Sequence, residues 1–244
     1  MALEIRISRK AYRLAGGGQR LVFEDFALQV AEGSIVALLG PSGCGKSSLL
    51  RIVAGLDRAF SGAVTRAPRR LGMVFQEPRL LPWRSVADNL RLAAPKLDES
   101  ALADLLAAFE LEGHGGDYPG QLSLGLARRA ALARAFAIEP ELLLLDEPFA
   151  SLDRALHHRL RLLLARWIGA RKMTALIATH DLDDALLLAD EIIFLDRAPA
   201  RIRGRLPIAE PRGARDEILT SLRASAEIYY MIGGPGNGTS EVAS

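Results

Sequence analysis

One octapeptide constrains this chain more than any other feature. Gly40-Pro41-Ser42-Gly43-Cys44-Gly45-Lys46-Ser47 follows directly on Ser34 to Leu39, a short and almost wholly apolar run. Such a run closing on a glycine is expected to be a buried strand of a parallel sheet. Ser47, Leu50, Val53 and Ala54 then fall at helical spacing, with Gly55 near the end. The octapeptide matches G-x-x-x-x-G-K-[ST] in the strand–turn–helix setting that the pattern requires. Its glycines let the backbone curl so that successive amide hydrogens converge on a phosphate, and the helix start adds its positive dipole end. Lys46 is placed to reach the β- and γ-phosphates of a nucleoside triphosphate, and the Ser47 hydroxyl to ligate Mg²⁺. The candidate cradle comprises Gly40, Pro41, Ser42, Gly43, Cys44, Gly45, Lys46 and Ser47, with Ser48 after it. A plain glycine-rich turn would need every position of the pattern to fall in register by chance.

Composition narrows the rest. The chain has 244 residues, half of them apolar and a quarter charged, which is ordinary globular composition. Its 31 basic and 29 acidic residues leave a formal charge of +2, too balanced to argue for a nucleic-acid partner. No apolar run approaches the roughly 18 residues that a spanning helix needs. Met1 to Lys10 alternates charged and apolar side chains and lacks the core of a signal peptide. A cytoplasmic location is expected. The lone cysteine, Cys44, excludes an internal disulfide and agrees with a reducing compartment.

Along the chain, Leu3 to Ile7 and Phe26 to Val30 alternate as half-buried strands, with a turn at Gly16 to Gly18. Met73 to Phe75, Leu142 to Leu145, Thr174 to Ala178 and Ile192 to Leu195 are further strand candidates. Helical spacing is expected between Trp83 and Gly113, and over Ser123 to Ile138, His157 to Gly169 and Asp181 to Ala189. Strands alternating with helices predict an α/β core with a parallel sheet and an inserted helical lobe. The glycine-rich stretch Gly233 to Gly238 and its polar end read as a mobile tail.

Asp146-Glu147-Pro148 ends the apolar run Leu142 to Leu145, and ligand sites of open α/β sheets lie at such strand ends. Asp146 is positioned to hold the Mg²⁺ shell and Glu147 to polarise an attacking water. Alone, the two acids could equally be solvated strand-end residues. Gln76 and His180 also follow apolar runs, and neither would carry weight by itself.

The order phosphate loop, Gln76, Leu122-Ser123-Leu124-Gly125, Asp146-Glu147, Ser151-Leu152-Asp153, His180 resembles the ATPase subunit of ABC transporters over approximately residues 3 to 200. That resemblance implies a P-loop NTPase fold of ABC type: a parallel-sheet core, an N-terminal antiparallel β subdomain and an inserted α-helical subdomain at about 83–138. It implies an ATPase domain over 1–210, followed by a C-terminal helix and tail over 211–244. Gln76 would ligate Mg²⁺ and sense a transmembrane partner, and His180 would contact the γ-phosphate. Ser123 and Gly125 would bind the γ-phosphate of ATP held by a second copy, with Asp153 in the loop crossing that dimer interface. Tyr12 lies where the family has an aromatic that stacks on adenine. ATP would glue a head-to-tail homodimer and hydrolysis would loosen it, driving permease subunits on the inner face of the cell membrane.

Phe75-Gln76-Glu77-Pro78-Arg79-Leu80-Leu81-Pro82-Trp83 is similar to the corresponding stretch of the nitrate, sulfonate and taurine importers. This implies a secreted or periplasmic solute-binding protein as an indirect partner. Trp83 and Val86 to Leu90 would then meet the permease's coupling helix, the bland alternative being that Trp83 fills core. Leu122-Ser123-Leu124-Gly125-Leu126 departs from the family's Leu-Ser-Gly-Gly-Gln. The Leu124 amide can still donate if its side chain turns away, and Leu126 is expected to bury. Arg128 and Arg129 follow and are expected to keep the segment basic. A P-loop small-molecule kinase accounts for none of the later motifs. A non-transport ABC protein acting as a nucleotide-gated assembly module is the remaining rival.

Overall fold

The computed structural model describes residues 3–66, 70–150, 152–169 and 173–232. Ser151 and the Gly233 to Gly238 tail lie outside these residues. The chain divides into two compact units, Met1–Ala67 with Leu176–Ser244, and Pro68–Ala175.

In the first unit, β1 (Leu3–Arg13) pairs antiparallel with β2 (Gln19–Val30) and with β4 (Ser61–Arg66). Leu3, Ile5 and Ile7 face the core while Arg6 and Ser8 face out, as the alternation predicts. A register shift against β4 between Ile7 and Arg9 breaks that alternation, and Lys10 is turned inward. β3 (Ile35–Leu39) feeds the phosphate loop and α1 (Lys46–Val53). Beside it lie β7 (Thr174–Thr179), whose residues from Leu176 on belong here, and β8 (Glu191–Leu195), giving the order β7-β3-β8-β9. β3 and β8 are parallel, and the edge strand β9 (Ile202–Pro207) is antiparallel to β8.

α6 (Leu182–Leu188) packs on β3, and α7 (Leu219–Ile232) on α6 and β9. The last carbonyls of α6 lack partners within the helix and, being buried, need donors. Buried Arg215 supplies them, donating to Leu186 O at 3.2 Å and Ala189 O at 2.5 Å.

In the second unit, β5 (Leu71–Val74) and β6 (Leu142–Asp146) are parallel and in register from Leu71↔Leu142 to Val74↔Leu145. Four helices accompany them: α2 (Val86–Ala93), α3 (Glu99–Ala108), α4 (Leu124–Ala137) and α5 (Arg154–Gly169). Ser85, Asp98 and Ser123 cap the first three, each accepting from an amide of the first turn. Phe109, Phe136 and Trp167 form an aromatic cluster with ring centroids 5.0 to 5.5 Å apart. Among the described residues, no helix is long and apolar enough to cross a membrane.

Candidate functional site

The phosphate loop is shaped by what its glycines permit. Gly45 caps α1 at φ 116°, and a Cβ there would lie 2.8 Å from Val22 Cγ1 and 2.9 Å from Phe23 Cζ. Only glycine fits so close to β2 in that conformation. No side chain caps α1, whose first-turn amides therefore face the loop interior. Lys46 is 6% exposed, and its ammonium donates to Gly40 O at 2.6 Å and Pro41 O at 3.3 Å. It lies across the loop it is expected to serve. Cys44 is buried, and its Sγ would sit 3.1 Å from a Cβ added at Gly40, which marks it as packing within the loop.

Tyr12 stands on the same unit as a fixed platform. Its hydroxyl donates to Asp57 Oδ2 at 2.9 Å and lies 3.1 Å from Ser48 Oγ. Lys10 Nζ sits 4.3 Å from the ring centroid and donates to Asp57 Oδ1 at 2.7 Å. Burial works to raise the Asp57 carboxyl, but hydrogen bonds from Lys10, Tyr12 and the Ala59 amide, with the Lys10 charge, hold it below the ordinary carboxylate range. His180 is exposed at the end of β7 and lines, with Gly40 and Pro41, a pocket of about 860 Å³. Tyr12, Ser48, the phosphate loop and His180 are thus gathered in one unit.

The second unit carries the remaining candidates. Because Val74 and Leu145 are register partners, Gln76 and Glu147 each stand two residues beyond the same rung of a parallel pair. Asp146 is only 3% exposed, while Glu147 is half-buried at φ 47°, a left-handed conformation uncommon outside glycine. Ser123 Oγ accepts from Leu126 N at 3.2 Å. Gly125 is buried, and a Cβ there would meet Leu156 Cδ2 at 2.4 Å, so its lack of a side chain serves the packing of α4 on α5. Asp153 Oδ1 accepts from Leu156 N at 3.0 Å and so caps the helix that carries Leu156. Leu124 is 48% exposed and Leu126 half-buried.

One alternative is excluded and one expectation changes. Trp83 is 69% exposed, so it does not fill core. Its turn is pinned by buried Asn89, whose side-chain nitrogen donates to Arg84 O at 3.2 Å and Ser85 O at 2.9 Å and whose oxygen accepts from Leu81 N at 2.8 Å. Arg128 does not keep the signature surface basic. It is 6% exposed and directs its guanidinium at main-chain carbonyls, because the small side chains around it let α4 pack tightly. Sequence reasoning also missed Lys10 and Asp57 as supports of Tyr12. Lys10 shares the outward parity of Glu4, Arg6 and Ser8, so the alternation carried no signal of its burial.

A strand–glycine loop–lysine helix and a buried strand ending in paired acids define a P-loop nucleoside triphosphatase. The profile of the family described as ABC transporter matches residues 23–150. The aliphatic sulfonates import ATP-binding protein SsuB 2 of Burkholderia cenocepacia (strain HI2424) is 45% identical over 233 residues, spanning 91% of this chain and 84% of that one. The SsuB 1 protein of Pseudomonas aeruginosa (strain UCBPP-PA14) is 45% identical over 240 residues, spanning 92% and 94%. The structure is similar to the ATP-binding cassette MJ0796 in a dimeric post-hydrolysis state bound to ADP and Pi, with TM-score 0.71 and 26% identity over 82% of this chain and 98% of that one. The chain belongs to the ABC transporter family and is an ATP-binding, ATP-hydrolysing cassette.

Proposed function

We propose that this cassette energises bacterial import of a small anionic organic solute, of the aliphatic sulfonate class within the nitrate, sulfonate and taurine group, through permease subunits. The relatives named for aliphatic sulfonate import carry this reading, being 45% identical over 84% and 94% of their length. They do not favour the rival assembly-module reading. Exposed Trp83 supports a docked partner, since a large aromatic fixed outward on a pinned turn is a typical interface anchor. A solute-binding protein outside the cell would deliver the solute, and the cassette would work at the inner face of the membrane.

In the site, Lys46 and the amides around Gly43 and Gly45 hold the β- and γ-phosphates, and Tyr12 stacks on adenine. Glu147 polarises the attacking water, and His180 contacts the γ-phosphate. Two copies act head to tail, Ser123 and Gly125 of one meeting the γ-phosphate held by the other, with Asp153 at the crossing. The hydroxyl, amide and carboxylate oxygens of Ser47, Gln76 and Asp146 are hard donors of the kind Mg²⁺ takes, and these residues would hold it. When bound, that ion neutralises phosphate charge.

Copurification with the permease and binding protein, followed by ATPase assays across sulfonates, taurine and nitrate, tests the reading. Stimulation by a sulfonate is expected, and stimulation by nitrate alone would overturn the solute class. Association with no permease and stimulation by no solute would overturn it. Glu147→Gln is expected to abolish turnover and to accumulate an ATP-bound dimer on size exclusion. A Glu147→Gln chain that stays monomeric with ATP would sink the shared-site model.

A further inference from the structure

Three consecutive or near-consecutive arginines of α4 do something that their position in a helix does not announce. Arg128 Nη1 donates to Pro148 O at 3.1 Å and Glu147 O at 3.4 Å. Arg129 Nη1 donates to Glu110 O at 3.0 Å and to the Glu110 carboxylate at 2.8 Å. Arg134 donates to Arg79 O at 2.8 Å and Pro78 O at 3.1 Å. Glu147, Glu110 and Arg79 are all left-handed, at φ 47°, 52° and 48°. Each α4 arginine therefore grips the carbonyl of a non-glycine residue held in a conformation that such residues avoid.

A conformation of that kind costs on the order of 1–3 kcal/mol and persists only where its surroundings over-determine it. A buried guanidinium is itself expensive to desolvate and is retained only with several good acceptors. Two of the gripped turns carry candidate catalytic residues. Glu147 lies on one, and the loop that begins at Gln76 and runs to Trp83 contains the other. The third turn, at Glu110, carries none. The same helix is capped by Ser123 and carries Gly125 in its first turn.

We infer that α4 is a positioning rod: Arg128 sets the peptide that aims the Glu147 carboxylate, and Arg134 sets the loop that follows Gln76. Movement of Ser123 and Gly125 is thereby transmitted to the water-polarising acid and to the partner-sensing loop together. Arg128 and Arg134 act through these main-chain carbonyls and are positioning residues. The inference rests on the reading of Glu147 given above.

The test compares Arg128→Met, Arg134→Met and Arg129→Met in the full chain, with steady-state ATPase and separate equilibrium ATP binding. Misplacing a reacting group by about 1 Å costs up to about a hundredfold in rate. The first two variants are expected to lose about tenfold or more in kcat while Kd for ATP stays within about twofold. Arg129→Met, which frees an equally unusual turn without a catalytic residue, is expected to keep kcat within about twofold. Equal losses in all three, or a loss that resides in Kd, would overturn the inference. If Arg128→Met does not fold, Arg128→Lys carries the test, since a shorter side chain ending in an ammonium does not bring a donor to the place from which Nη1 meets both carbonyls. It should lose at least about threefold in kcat, and a wild-type rate would count against the inference. Glu147→Gln measured alongside separates the two levels. Turnover that survives Glu147→Gln defeats the site reading itself, whereas loss there with an unchanged Arg128→Met defeats only the rod.

Discussion

α1 begins at Gly45 with no side chain turned back on its first amides, whereas α4 begins at Ser123, whose own hydroxyl accepts from Leu126 N. Both helix starts belong to segments expected to meet phosphate. The first is finished in a single chain: Gly45 opens it, Val22 and Phe23 back it, and Lys46 already lies across its mouth. The second is capped by its own serine and, at Leu124, covered by an exposed apolar side chain. An open helix start is an anion site in waiting. A capped one has its orphan donor satisfied and gains less from an incoming phosphate. The difference fits the division of tasks proposed above, nucleotide binding at α1 and completion by a second copy at α4.

The largest effect should come from removing the cation at the finished end. Lys46→Ala leaves the carbonyls of Gly40 and Pro41 without their donor and the phosphates without theirs. ATP affinity measured by titration calorimetry should fall by at least about a hundredfold, a loss of about 2.7 kcal/mol or more. Retained affinity would break the comparison at its stronger side. Ser123→Ala should act differently. It removes a cap worth about 1 kcal/mol, read as a lowered Tm, and it should reduce turnover by about tenfold with ATP affinity of the single chain unchanged. A parallel loss of affinity would mean that the two helix starts are not functionally distinct.

Much of the finished end is legible in the sequence because its physics is local. The loop, its strand and its helix occupy adjacent residues, so one pattern reports all three. Asp146 and Glu147 are legible for the same reason, standing where a fully apolar run stops. The elements that escaped notice are edge strands. β4 has one small apolar alternation and β9 reads Ile-Arg-Gly-Arg-Leu-Pro, neither with the continuous apolar face that marks a central strand. The supports of the site are illegible for a different reason. Arg128 and Arg134 look like ordinary solvated helix arginines, and only the folded chain shows that their partners are carbonyls distant in sequence. Gly125 reads as a phosphate-approach glycine, yet its nearest constraint is Leu156.

Leu124 offers a gain-of-function probe of the conditional end. Leu124→Gly removes an exposed side chain from the first position of α4 and restores close approach there. Turnover is expected to rise by about two- to fivefold, a change of under about 1 kcal/mol in barrier. The helix should meanwhile lose up to about 1 kcal/mol of stability to the added glycine. A lower rate would show that Leu124 makes a favourable contact across the dimer rather than standing in its way.

The smallest effect belongs to the platform under the base. Asp57→Asn keeps the shape but removes the charge that pairs with Lys10 and receives the Tyr12 hydroxyl. The ring is then less firmly oriented, and KM for ATP should rise by about two- to threefold with kcat unchanged. The same contact predicts a pH response of definite sign. The Asp57 carboxyl is held below its unfolded value, so its contribution is complete above the ordinary carboxylate range of about 4 and is lost as pH falls through the lower folded value. Between neutrality and pH 5 the Asp57–Tyr12 contact should therefore add no slope to Tm, and only at more acid pH should wild type and Asp57→Asn converge. A wild-type Tm that instead rises relative to that of Asp57→Asn on acidification would show that burial, which acts to raise this carboxyl, outweighs Lys10 and Tyr12, and the platform would then be neutral rather than anchored.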